Sequence, residues 1–313
     1  RLGDWAESNN RLRNGQKGFR EGVAGCDEHQ FVSHAILDGT RRSRLPLYMV
    51  YYDIRNAFGA IPHAYLWFVL KELGVPASFI ALLKDVYTNA FTMVSTANGT
   101  SPPILQRAGV FQGCPLSPLL FILGMAPLLE TLHAFETECG VQLAAGARLA
   151  TTAFADDIKI FSRSKLGIQR LHDIVARFLD WTTLRANPTK CALLATVPDP
   201  RSVGRYKRLE DPLDLILNGV NIPKLQFEDS YKYLGIREGS DSVNIQFQLT
   251  PKLATLRKQV TALATSGLAP WQVIKAINTN SASDQQIKLF IGYCGWDEGE
   301  LEAELEEGSW TVS

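Results

Sequence analysis

The sequence predicts an α+β fold in which a small antiparallel sheet carries helices on one face. Three observations point there. The run Leu47-Tyr48-Met49-Val50-Tyr51-Tyr52 is continuously apolar or aromatic, as expected of a strand buried on both faces, and it ends on Asp53. Short β-branched and aromatic segments meet at Asp156 and Asp157, which is a hairpin signal. Between and after them lie stretches of helical periodicity, so strands and helices alternate.

The elements follow in order. His63 to Leu73 places Leu66, Leu70 and Leu73 on one helical face and stops at Gly74, and a second helix is expected from about Pro76 to Asn89. Thr92 to Ser95 and Ile104 to Gln106 flank Asn98-Gly99 as a hairpin. Gly109-Val110-Phe111-Gln112-Gly113-Cys114-Pro115-Leu116 then reads as a loop feeding a helix, with Ser117 as N-cap and Pro118 at the first helical position. After the acidic hairpin, Leu166 to Leu179 is amphipathic, with Leu171, Ile174, Val175 and Phe178 inward. A strand from Cys191 to Val197 follows, then a hairpin turning at Asn218-Gly219. Leu253, Leu256, Val260 and Leu263 recur at helical spacing before Gly267 to Pro270 and a short helix from Trp271 to Ile277.

Asp156 and Asp157 carry the strongest chemical signal. Adjacent carboxylates at an exposed turn repel one another and add nothing to a core, and a bound divalent cation reverses that cost. Mg²⁺ needs further oxygen ligands, and Asp53, at the end of a buried strand, is the third carboxylate for one or two metals. In the loop between the acidic sites, Gly113 removes a side chain where something approaches the backbone, which leaves Gln112 free to touch a sugar, a base or a template strand.

Composition bounds the classes. At 313 residues and 46% hydrophobic content, the chain can bury a substantial core in one large or two modest domains. The formal charge is zero, but residues 284–313 hold eight acids against the single base Lys288. The rest keeps 31 basic and 24 acidic residues, a surplus of the sign that follows a phosphate backbone. The five cysteines show no CxxC pair and no zinc-like spacing with histidine, which fits a reduced, intracellular setting. The apolar run Leu119 to Leu129 contains Pro127 and is read as too short to span a bilayer, so no membrane partner is expected. The chain starts at Arg1 without a signal peptide or a methionine, as expected of a fragment or a processed chain.

The ordered set Asp53, then Gln112-Gly113-Cys114-Pro115-Leu116-Ser117-Pro118, then Phe154-Ala155-Asp156-Asp157 resembles the reverse transcriptases of non-LTR, LINE-type retrotransposons. The similarity extends upstream to Gln16-Lys17-Gly18-Phe19 and Gly25-Cys26-Asp27-Glu28-His29, a fingers-like segment, and around Asp53 to Pro62-His63. Downstream it takes in Leu184-Arg185-Ala186-Asn187-Pro188-Thr189-Lys190 and Tyr231-Lys232-Tyr233-Leu234-Gly235-Ile236, so it covers about residues 10–275.

The resemblance implies a right-hand polymerase palm with partial fingers and a helical thumb, which extends a DNA primer on an RNA template with dNTPs and two Mg²⁺ ions, Mn²⁺ being an alternative. Asp53, Asp156 and Asp157 are then catalytic metal ligands, and Phe58 is the sugar gate unless it is simply core. Arg55 contacts the triphosphate or snorkels at the surface, and Gln112 and Gly113 line the substrate. Lys190 stands near the leaving pyrophosphate or is an exposed residue before a strand, and Tyr233, Leu234 and Gly235 form the primer grip. The implied division is 1–45 partial fingers, 46–236 palm with fingers insertions, 237–280 partial thumb, with Lys252, Arg257 and Lys258 available for phosphates, and 281–313 a poorly ordered acidic tail.

The chain departs from the family pattern at three places. Phe154 replaces an aromatic alcohol or alanine, Phe111 stands where an arginine is usual, and the basic fingers motif expected upstream of Arg1 is absent. Endonuclease and zinc-binding domains are likewise not expected within this chain. The alternative is a truncated or decayed copy that keeps the palm and nucleic-acid binding without catalysis, and a group II intron maturase-like enzyme is a further reading. The family implies a nuclear location, although the only short basic run is Arg41-Arg42-Ser43-Arg44.

Overall fold

The computed structural model describes residues 2–239 apart from 24, 94, 97–98, 144–145, 199–205, 209–212 and 227–228. The thumb helices, nearly all of the 237–280 stretch and the 281–313 tail lie outside the described residues. Two helices open the chain, α1 (Leu2–Ser8) and α2 (Cys26–Ser43), followed by strand β1 (Leu47–Tyr52). Three helices come next, α3 (Ala57–Ala60), α4 (His63–Glu72) and α5 (Ala77–Thr88). A two-tier hairpin then pairs β2 (Phe91–Thr92) with β5 (Ile104–Leu105) around β3 (Ser95–Thr96) and β4 (Gly99–Thr100). The long helix α6 (Ser117–Ala134), α7 (Glu136–Cys139) and the small pair β6 (Val141–Gln142) and β7 (Arg148–Leu149) lead into β8 (Thr151–Phe154) and β9 (Asp157–Ser162). Helix α8 (Lys165–Thr182) precedes β10 (Ala192–Pro198) and β11 (Tyr206–Arg208). Two hairpins follow, β12 (Ile216–Leu217) with β13 (Val220–Asn221), and β14 (Ser230–Tyr233) with β15 (Ile236–Gly239).

The main sheet has the order β11-β10-β1-β9-β8, antiparallel throughout, with β1 at its centre. Alternation along β1 sends Tyr48, Val50 and Tyr52 to one face, where they join Leu66, Phe121, Leu128, Leu171 and Val175 of α4, α6 and α8 in the larger core cluster. Leu47, Met49 and Tyr51 point the other way. That face is covered by Ile36 and Leu37 of α2 and by Tyr231 and Tyr233 of β14. The expected arrangement, with helices on one face, thus gains a partial second cover. This is why β1 is buried at every position and carries no polar alternation.

Two sequence expectations change at α6. Ser117 is not the N-cap: Leu116 already has helical φ and ψ and its carbonyl accepts from the Leu120 amide, so Ser117 sits inside the first turn with its hydroxyl buried. The apolar stretch is also longer than the run read from Leu119 to Leu129. By length and composition the whole of α6 would suffice to cross a membrane, yet in the fold it is the core helix, with Leu120, Phe121, Ile122 and Leu123 fully buried.

Candidate active site

Antiparallel pairing sets Tyr52 opposite Ile158, so Asp53, the next residue after β1, and Asp157, the residue before Ile158, lie at the same end of this strand pair. The β8–β9 turn has only two residues, Ala155 and Asp156, between the paired Phe154 and Asp157. Ala155 adopts φ 54°, a conformation that disfavours a side chain. Gln16 holds it there. Its fully buried carboxamide donates to the Ala155 carbonyl at 3.2 Å and accepts from the Ala155 amide at 2.8 Å and the Gly18 amide at 2.8 Å. Gly18 lies so close that a Cβ there would sit 2.5 Å from the Ala155 nitrogen. The fingers-like segment therefore clamps the acidic turn.

The acids, expected at an exposed turn, are only partly exposed, and burial first, then neighbouring charge, raises the pKa of Asp156 and Asp157. Burial, with the charge of Asp53 adding, pushes Asp156 up to about 6. Burial, then the charges of Asp156 and Asp53, pushes Asp157 to about 7 against the opposing pull of Lys159. A carboxylate set held this way favours a cation. Among the described residues no three His, Cys, Asp or Glu side chains, these aspartates included, come together as a group that could hold a metal ion, so the chain alone does not complete a cation site here.

Asp53 is fixed from behind by the lysine-bearing segment. The Asn187 amide donates to the Asp53 carbonyl at 2.9 Å, and the Arg55 amide donates to the Arg185 carbonyl at 2.7 Å. Lys190 follows in a turn closed by its amide on the Asn187 carbonyl at 3.0 Å, and its side chain is exposed at the start of β10. Arg55 is exposed as well. Burial pushes the thiol of Cys191 up to about 11, a hydrogen bond to the Asp53 backbone pulls it partly back and the Asp53 charge adds a little to the rise, a neighbour that nothing in the sequence reading identified.

Phe58 lies in α3, which opens at Asn56 in the left-handed region with φ 44°. Its carbonyl accepts from the Val110 amide at 2.7 Å, and a Cβ on Gly109 would sit 2.6 Å from the Gly59 carbonyl oxygen. Within the chain the close backbone approach is at Gly109. Gly113 has φ 81° and open space around it, so a glycine is favoured there by conformation, and room remains beside its backbone. The half-buried ring of Phe58 stacks on Phe121 at 4.4 Å and meets Phe19 edge-on at 5.9 Å; Phe19 is 53% exposed and also lies 6.2 Å from Phe154. The core reading of Phe58 is therefore visible in its packing on Phe121, while the ring stays only half-buried. Phe111, in the place of the usual arginine, stacks on Tyr87 at 4.3 Å, whereas Gln112 and Gly113 are exposed.

The β14–β15 hairpin turns at Leu234 and Gly235, both with positive φ. Tyr231 stacks on Tyr51 at 4.3 Å, and its hydroxyl pKa is raised by burial and by the charges of Asp53 and Asp157. Tyr233 is buried and donates to the Asp157 carbonyl at 3.4 Å. The hairpin therefore borders the acids, and its turn is tied to α2, where Gln30 Nε2 donates to the Leu234 carbonyl at 3.0 Å. Sequence reasoning missed the roles of Gln16, Phe19, Tyr231, Lys159 and Glu238. For Lys159 a signal existed: a lysine inside an otherwise apolar strand.

A family model described as "Reverse transcriptase (RNA-dependent DNA polymerase)" matches residues 3–237, and a second, described as "AlgH-like", matches residues 249–313, the stretch that the sequence reading divided into thumb and acidic tail. The chain is 28% identical over 280 residues to the Pol polyprotein of the type-2 retrotransposable element R2DM of Drosophila melanogaster, covering 88% of this chain and 25% of that protein. It is 27% identical over 209 residues to an R2 Pol polyprotein of Popillia japonica, covering 66% of this chain and 33% of that one. The chain thus spans a third or less of these relatives. Among solved structures, a telomerase from Candida tropicalis with a fragment of telomeric RNA aligns at a TM-score of 0.47 and 12% identity, covering 62% of this chain and 32% of the telomerase. With the family model matching most of its length and relatives of the R2 kind, this chain belongs to the reverse transcriptase (RNA-dependent DNA polymerase) family, in its LINE-type branch.

Proposed function

We propose that this chain is the RNA-directed DNA polymerase module of a retrotransposable element, adding dNTPs to a DNA primer on an RNA template. The observation that carries the reading is the three carboxylates at one end of the central strands, Asp53 directly after β1 and Asp156 and Asp157 at the β8–β9 turn, with Asp156 and Asp157 raised in pKa. Asp53, Asp156 and Asp157 would hold two divalent cations, Mg²⁺ or Mn²⁺. Such ions lower the pKa of a primer 3′ hydroxyl and neutralise charge on the phosphates. The chain's own residues do the positioning. Phe58, braced on Phe121, sits beneath the incoming sugar and rejects a 2′ hydroxyl. Gln112 and Gly113 face the substrate from an open loop. Arg55 and Lys190, both exposed on segments tied to Asp53, are available to the triphosphate and the leaving pyrophosphate. The Leu234-Gly235 turn meets the primer, with Tyr233 as its anchor.

The test is primer extension by the full chain on an RNA template with Mg²⁺. Incorporation abolished by Asp156→Asn supports the assignment. Extension that survives loss of both Asp53 and Asp156 refutes the metal mechanism, and template binding without incorporation by the unaltered chain selects a non-catalytic copy.

A further inference from the structure

The β14–β15 hairpin forms its own two-stranded sheet and shares no ladder with the main sheet, so side chains determine where it sits. The strongest of these contacts lies under the acids. Lys159, two residues beyond Asp157 on β9, is 0% exposed and faces away from the helical core. Its ammonium donates to both oxygens of Glu238 on β15 at 2.8 and 3.0 Å and to the Ser33 hydroxyl of α2 at 2.5 Å. It also lies 3.7 Å from the centre of the Tyr233 ring. Glu238 is equally buried and accepts a further bond from the Tyr51 hydroxyl at 2.9 Å, two residues before Asp53. One ion pair therefore touches both strands that carry the acids, the fingers-side helix and the hairpin.

Burying such a pair gives little net stability, but separating its members strands a charge in an apolar layer. Any shift of the hairpin along or away from the sheet breaks the pair, so the hairpin has one tolerated position. We propose that Lys159 and Glu238 are positioning residues that lock the hairpin turn at a set distance from the aspartates and so place the primer end over them. This inference rests on the polymerase reading for its consequence, and on contacts alone for the locking.

The test uses the full chain with both charges removed, Lys159→Met with Glu238→Leu, because a single replacement leaves a stranded charge and invites unfolding. The expected result is a kcat for primer extension lowered by about tenfold or more, with nucleotide KM and template–primer affinity within about threefold of the unaltered chain, since misplacing a reacting group costs turnover before binding. Hydrogen–deuterium exchange across residues 230–239 is expected to speed up while α8 keeps its protection. Unchanged kcat per folded molecule, or exchange of the hairpin no faster than before, overturns the proposal. An unaltered chain that extends no primer defeats the polymerase reading instead, and the exchange measurement still decides the locking.

Discussion

Replacing Asp157 by asparagine is expected to make the metal-free protein more stable. Its carboxyl is raised from 3.8 to about 7, by burial first and then by Asp156 and Asp53. Each pKa unit corresponds to about 1.4 kcal/mol, so the full shift amounts to roughly 4 kcal/mol of unfavourable ionisation. Partial exposure and coupling within the acid pair reduce this to about 1–3 kcal/mol recoverable by one neutralisation. Because the folded state holds this proton more tightly than the unfolded chain, the penalty is absent below the ordinary carboxyl pKa. It grows as pH rises and is complete above the folded value of about 7. In a chelator at about pH 8 the variant should unfold roughly 3–8 °C higher than the parent, and the gap should close as the solution approaches about pH 4. Thermal unfolding followed by circular dichroism measures it. Added Mg²⁺ should raise the parent more than the variant, since a ligand of the native state stabilises by mass action. A variant no more stable than the parent at the higher pH, or a gap indifferent to pH, refutes the account of the acids as a destabilising charge cluster awaiting cations.

Gln16→Leu should lower stability by about 2–4 kcal/mol, because it leaves the Ala155 amide and carbonyl without partners, and should lower kcat as the acidic turn loses its clamp; denaturant titration with extension kinetics checks both. Phe58→Ala should raise incorporation of ribonucleotides relative to deoxynucleotides by about 10–100-fold, which single-nucleotide insertion assays would register, and an unchanged ratio would remove Phe58 from the sugar site. His29, whose pKa is lowered to about 4 by burial, is held neutral by the fold with its Nε2 on the Ala153 carbonyl. The unfolded chain therefore takes up protons first as pH drops below the usual imidazole value, and stability should fall by about 2–3 kcal/mol towards pH 4. Comparing the parent with His29→Gln, which keeps a donor without the titration, isolates this loss from the opposite trend of the acids.

The local elements were legible because their signals are local. The apolar run ending on Asp53, the two-residue acidic turn and the helix from Lys165 to Thr182 each show their character within a short window. Ser117 misled because a serine before a proline reads as a cap, whereas helical φ and ψ at Leu116 moved the start back one residue. At Gly113 the structure adds a positive φ that the sequence reading did not foresee, because a glycine codes equally for close approach and for a left-handed backbone.

From the sequence alone came the α+β class, the strand ending at Asp53 with the principal helices and hairpins after it, and the three aspartates and the family motifs that contain them, but not α1 or α2. Those features are written in periodicity, turn residues and short motifs, which need no knowledge of distant neighbours. The tertiary structure alone decided that β1 pairs with β9 so that Asp53 and Asp157 come to the same end, and that α2 and the β14–β15 hairpin cover the second face of the sheet. It also decided that Gln16 brackets Ala155 across 139 residues and that Lys159 finds Glu238 across 79. By alternation Lys159 lies opposite the helical core, where a lone lysine reads as solvated. Only the hairpin folding back over it turns that surface into an interior and makes the charge a constraint.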